Sequence, residues 1–142
     1  MNNVCYRKLR YYKYQLVKPY SLKLGILGFN IETPYIKLNP DGGLEIAKYY
    51  AWDGPSGPTI DTADFMRGSL VHDALYQLIR IEKIPYDYKD YADLLLKKIC
   101  LEDGMSNFRA SYVYQALKLF GGASAKPSSQ KPDVHYCAPG RS

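Results

Sequence analysis

The chain has 142 residues, of which 46% are hydrophobic, enough for one domain with a buried core. It carries 19 Lys and Arg against 14 Asp and Glu, a net charge of +5 that gives mild attraction to nucleic acid or anionic lipid and no more. Three cysteines without close spacing (Cys5, Cys100, Cys137) exclude a disulfide framework and a zinc knuckle, and no stretch approaches the roughly 20 apolar residues of a membrane span.

Tyrosine is the unusual component: 15 Tyr stand against 4 Phe and 1 Trp, so aromatic surface comes with hydroxyl groups. Much of the positive charge sits near the start, at Arg7, Lys8, Arg10, Lys13, Lys18 and Lys23, and reads as a solvated strand face. No apolar run follows those basic residues, so no signal peptide is expected.

Residues 5–17 alternate Tyr and Leu with Lys and Arg, a period that suits a half-exposed strand. Pro19 interrupts it. A second strand is expected over 21–27, ended by Gly28, and a third over 31–38 around Pro34. Asn39-Pro40-Asp41-Gly42-Gly43 is a turn, and a strand over 44–52 follows it. The first half, about 5–52, is therefore expected to be a small antiparallel sheet.

The period then changes. Asp61 or Thr62 is placed to cap a helix over about 62–82, which Pro85 stops. A second helix is expected over 88–102, closed by Gly104, and a third over 106–120, capped by Ser106 and closed by Gly121-Gly122. The short link between the first two predicts an antiparallel pair. The whole is α+β: a small N-terminal antiparallel β-sheet followed by three helices, in a single domain over 1–122. Residues 123–142, rich in Ser, Pro, Lys and Gly, are expected to form a flexible C-terminal tail.

The chemistry concentrates between these halves. A rigid loop, Trp52-Asp53-Gly54-Pro55-Ser56-Gly57-Pro58, feeds a largely apolar helix with His72, Asp73 and Tyr76 in its middle. At 100° per residue, His72 and Tyr76 share one face with Ser69 and Phe65, while Asp73 lies on the next. An imidazole acts as general base once a second group fixes its tautomer. Asp93, in the middle of the following helix, falls opposite His72 if the two helices pack antiparallel. The adjacent Asp73, with Asp53 and the carbonyls of a Gly-rich turn, offers the hard oxygen donors that calcium takes. The plain alternative is that His72-Asp73 only bonds nearby backbone, Asp93 only pairs with Lys97 or Lys89 on its own helix, and Tyr76 is core.

Two resemblances bear on this. The series Trp52-x-Gly54-Pro55-Ser56, Met66-Arg67-Gly68-Ser69-x-x-His72-Asp73-x-Leu75-Tyr76, Ala92-Asp93 and 113–121 resembles a phage and prophage family known as domain of unknown function 1353. That resemblance spans roughly residues 15 to 122 and implies phage or prophage origin without an activity. The shorter His72-Asp73-x-x-Tyr76 is similar to the catalytic helix of phospholipase A2 enzymes. It implies His72 as general base and Asp93 with Tyr76 holding it. It also implies Asp73 and Asp53 as calcium ligands, with loop groups at Gly54 and Ser56. The disulfides of that family have no counterpart here, and Pro55 and Pro58 remove two N–H donors from the loop.

The expected function is thus a phage-associated, calcium-dependent ester hydrolase of phospholipase A2 type. The alternative is a non-enzymatic phage virion or assembly protein that uses the same segment structurally. A phospholipid or membrane surface and phage structural proteins are the expected partners, with no specific nucleic acid, in host cytoplasm or virion. Base stacking on Tyr6, Tyr11, Tyr12 and Tyr14 ranks below an aromatic sheet face packed on the helices. Cys100 reads as a buried hydrophobe.

Overall fold

The computed structural model describes residues 3–9, 14–53 and 62–120. Among the described residues seven short strands precede three helices: β1 (Tyr6–Lys8), β2 (Tyr14–Leu16), β3 (Tyr20–Lys23), β4 (Ile31–Glu32), β5 (Ile36–Leu38), β6 (Gly43–Ile46), β7 (Ala51–Trp52), α1 (Ala63–Arg80), α2 (Lys89–Glu102) and α3 (Asn107–Phe120). A single turn of 3-10 helix, Tyr86–Tyr88, leads into α2. The α+β order read from the sequence is the order found.

The strands form two antiparallel sheets rather than one, in the orders β1-β2-β7 and β3-β6-β5-β4. The stretch read as one strand over 5–17 holds two, β1 and β2, which pair antiparallel: Tyr6 with Leu16 and Lys8 with Tyr14. Alternation alone cannot distinguish these, because both arms of a hairpin keep the two-residue period. The predicted 31–38 strand is likewise folded back at Thr33, whose N–H and hydroxyl both donate to the Ile36 carbonyl. The 44–52 strand breaks at Tyr49, which has φ 77°, so that β6 and β7 lie in different sheets. Between β5 and β6 the turn falls where Asn-Pro-Asp-Gly-Gly predicts it. Gly42 has φ 92°, and a side chain there would meet the Leu24 carbonyl at 2.2 Å.

Alternate strand residues turn inward (Tyr14 and Leu16; Ile36 and Leu38; Leu44 and Ile46) and meet α1, whose Leu70, Ala74, Leu75 and Leu78 are fully buried. This is a helix with almost no free side, and its apolar sequence follows from that. α2 covers the opposite flank of α1 and runs antiparallel to it, as shown by the partners Arg67 with Asp103 near one end and Tyr76 with Asp93 near the other. The closest approach is at Gly68, where a Cβ would stand 2.6 Å from Leu96 Cδ1 and 2.9 Å from Cys100 Sγ. A smaller apolar cluster of Phe65, Leu96, Cys100, Met105, Ala110, Val113 and Leu117 seats α3 on this pair.

The helix ends follow their residues. Ser106 Oγ accepts from the Arg109 N–H at 3.2 Å, which caps α3. Gly104, at φ 100°, ends the turn after α2. Thr62 takes the N-cap position of α1 with extended backbone but no side-chain cap bond. Its hydroxyl is bonded instead to the Asp64 carboxylate and, at 2.6 Å, to Arg109 Nη1. Asp61, the other candidate cap, lies outside the described residues, as do 54–60 and the expected tail. No described helix is long and apolar enough to cross a membrane.

Candidate functional site

Antiparallel packing brings His72 and Tyr76 of α1 against Asp93 of α2. The Asp93 carboxylate has no solvent exposure, and three side chains bond to it. His72 Nε2 lies 2.7 Å from Oδ1, the Tyr76 hydroxyl donates to the same oxygen at 2.6 Å, and Lys89 Nζ donates to Oδ2 at 2.7 Å. The imidazole and the phenol ring lie against each other, centroids 3.9 Å apart. A buried carboxylate with four acceptor sites is satisfied only by several donors, and three residues on two helices supply them: the i, i+4 pair His72 and Tyr76 on α1, and Lys89 one turn before Asp93 on α2.

Charge follows geometry. Burial opposes ionisation of Asp93, but the bonds from His72, Lys89 and Tyr76 outweigh it and hold its pKa below the ordinary carboxylate value. Burial likewise opposes protonation of His72, yet the Asp73 and Asp93 carboxylates prevail and raise the imidazole pKa above 6.5. Burial and then the charge on Asp93 push the Tyr76 phenol strongly upward, so it stays a donor.

Because Asp93 is ionised, Nε2 carries the proton of the shared bond. The lone pair of the neutral imidazole is therefore at Nδ1. That atom faces Asp73, with Oδ1 at 3.7 Å. The Asp73 side chain is 26% exposed, and the loss of surrounding water raises its pKa. The imidazole acts the other way, and the charge on Asp53 adds to the rise. Gly54 and Ser56, the other expected donors, lie outside the described residues. Among the described residues no group of three or more His, Cys, Asp and Glu gathers as a metal site.

The approach to the loop is fixed at its start. Trp52 Nε1, at the end of β7, donates to Ser69 Oγ at 3.1 Å, and that hydroxyl donates to the Met66 carbonyl at 3.0 Å. Ser69 thus fastens the last strand to α1 one turn before His72. The Trp52 ring is packed edge-on against Tyr6 and tilted against Tyr14. This absorbs two of the tyrosines considered for base stacking; Tyr11 and Tyr12 lie outside the described residues. Burial pushes the Cys100 thiol up to about 12, as befits a packing residue rather than a nucleophile.

The sequence reading placed Asp93 against His72 and Tyr76 but gave Lys89 only a place on its own helix. Its signal was the i, i+4 spacing to Asp93, and its second bond, to the Leu117 carbonyl at 3.3 Å, could not be read without the position of α3. A groove of about 670 Å³, bordered by Phe29, Ile79, Ile84, Pro85 and Tyr86, opens at the far end of α1 and does not include His72. Comparison with protein-family profiles, with curated proteins and with solved structures finds no match to this chain.

Proposed function

We propose that the protein is a calcium-dependent ester hydrolase of phospholipase A2 type, of phage or prophage origin. The observation that supports this is the Asp93 carboxylate, which receives His72 Nε2 and the Tyr76 hydroxyl on one oxygen and so leaves Nδ1 as the basic atom. In this reading Nδ1 takes a proton from water as the water oxygen bonds to the ester carbonyl carbon. The imidazolium then returns the proton to the departing alcohol. Asp93 and Tyr76 keep the ring's tautomer and angle. Asp73 and Asp53 would hold calcium, which supplies electrostatic stabilisation to an oxyanion when bound.

The test is ester hydrolysis with and without calcium, alongside calcium titration by calorimetry. Activity lost in His72→Ala and in Asp73→Asn, with calcium binding lost only in the latter and the fold intact in both, is the expected result. No heat with calcium up to millimolar concentration and no turnover would sink the reading.

A second reading has its own observation. Lys89 joins Asp93 to the Leu117 carbonyl, so the cluster ties α1, α2 and α3 together and works as a clasp in a non-enzymatic virion or assembly protein. An unfolded His72→Ala variant and a parent that binds no calcium would favour it.

A further inference from the structure

The inward side of α3 is accounted for by Ala110, Val113 and Leu117. Its outward side is not polar, as a solvated helix face should be. Phe108 is 85% exposed, Tyr112 51% and Leu119 75%, and their spacing puts all three, with Gln115, on one stripe. Leu94 on the neighbouring α2 is 46% exposed as well. Single exposed hydrophobes are ordinary, but a stripe of them along one helix marks a contact surface.

The charges around it say what kind. Lys97 and Lys118 lie over the Tyr114 ring, with Nζ 5.6 Å and 5.7 Å from its centroid. Lys98, next along α2, is exposed. None of the three lysines makes an ion pair among the described residues. The nearby acids are engaged: Asp90 accepts the Tyr114 hydroxyl, and Glu102 and Asp103 hold Arg67. The surface is therefore apolar along its centre and positive beside it, on a chain of net charge +5.

We propose that this face docks on an anionic lipid bilayer, with Phe108 and Leu119 entering the acyl boundary. Tyr112 meets the headgroups, and the lysines reach phosphate. A second copy of the chain is a poorer occupant, because it brings the same lysines and the same net charge of +5 rather than the negative groups they lack. The inference goes beyond the hydrolase reading and does not need it, since none of these residues belongs to the His72–Asp93 cluster.

Flotation with phosphatidylglycerol-containing vesicles, against pure phosphatidylcholine vesicles, tests it. The protein is expected to float with the anionic vesicles only, and less so as salt rises. Phe108→Ser with Leu119→Ser should lower the affinity about tenfold or more. Lys97→Gln with Lys98→Gln and Lys118→Gln should remove the preference for anionic lipid. All these side chains lie on the outer surface, so circular dichroism and Tm should stay as in the parent. A parent that does not float, or equal flotation of the Phe108→Ser/Leu119→Ser variant, overturns the proposal. So does a parent dimer in sedimentation equilibrium that this variant turns into a monomer. Ester turnover is a separate readout, so a failure of docking and a failure of catalysis are told apart.

Discussion

The α1–α2 interface has two points of opposite character, one helical turn apart. At Gly68 the helices close on Leu96 and Cys100 without a polar group between them. At His72 the same helices enclose a carboxylate, an imidazole, a phenol and an ammonium group. The dry point is specified by size: only the smallest residue fits. The wet point is specified by pairing, because each buried polar group is tolerable only while the others remain. The first sets how close the helices come, and the second sets their register.

The strongest way to break the contrast is to remove the acceptor. Asp93→Ala strands a buried imidazole, phenol and ammonium, and should cost about 3–5 kcal/mol in chemical denaturation. Asp93→Asn should recover part of that, since one oxygen acceptor survives. At the dry point, Gly68→Val should cost about 1–3 kcal/mol through overpacking, with Leu96 and Cys100 forced aside. If Gly68→Val were the worse of the two, closeness rather than pairing would govern the interface. Tyr76→Phe removes one of two donors on a single oxygen and should cost about 1 kcal/mol. It should also loosen the imidazole, visible as a broadened ring resonance in NMR.

The smallest effect expected is a slope of stability with pH. His72 has a raised pKa when folded, so its contribution is complete below the unfolded value near 6.5 and fades as pH rises through the folded value. Tm followed from pH 6 upward should fall through that window in the parent and stay flatter in His72→Gln. Under the hydrolase reading the rate runs the other way, rising over the same window as Nδ1 loses its proton. Asp93 acts at the acid end: its depressed pKa adds stability above the unfolded carboxylate value, lost as pH falls through the folded one.

The helices were legible in the sequence because capping residues, glycine stops and a long apolar period agree with one another: Ser106, Gly104 and the 63–80 run each point the same way. The site was legible for the same reason, since a short link forces α2 back along α1 and brings Asp93 to His72. The strands were not. A hairpin and a straight strand share a two-residue period, and what folds residues 31–38 back is local bonding at Thr33 that composition does not announce. Nor does any propensity reveal the division into two sheets. It depends on a left-handed backbone at Tyr49, a residue that ordinarily avoids it.

That bend sets an order of assembly. The sheet of β3, β4, β5 and β6 is enclosed in sequence between β2 and β7, and the Leu16 N–H donates to the Tyr50 carbonyl while the Tyr49 N–H donates to the Leu16 carbonyl. The meander is made of neighbours and closes through short loops. β7 pairs with β2 at a lower loop-closure cost once that closure has shortened the intervening chain. Loop entropy therefore favours finishing the first sheet after the meander, and with it the seating of Trp52 on Ser69 of α1.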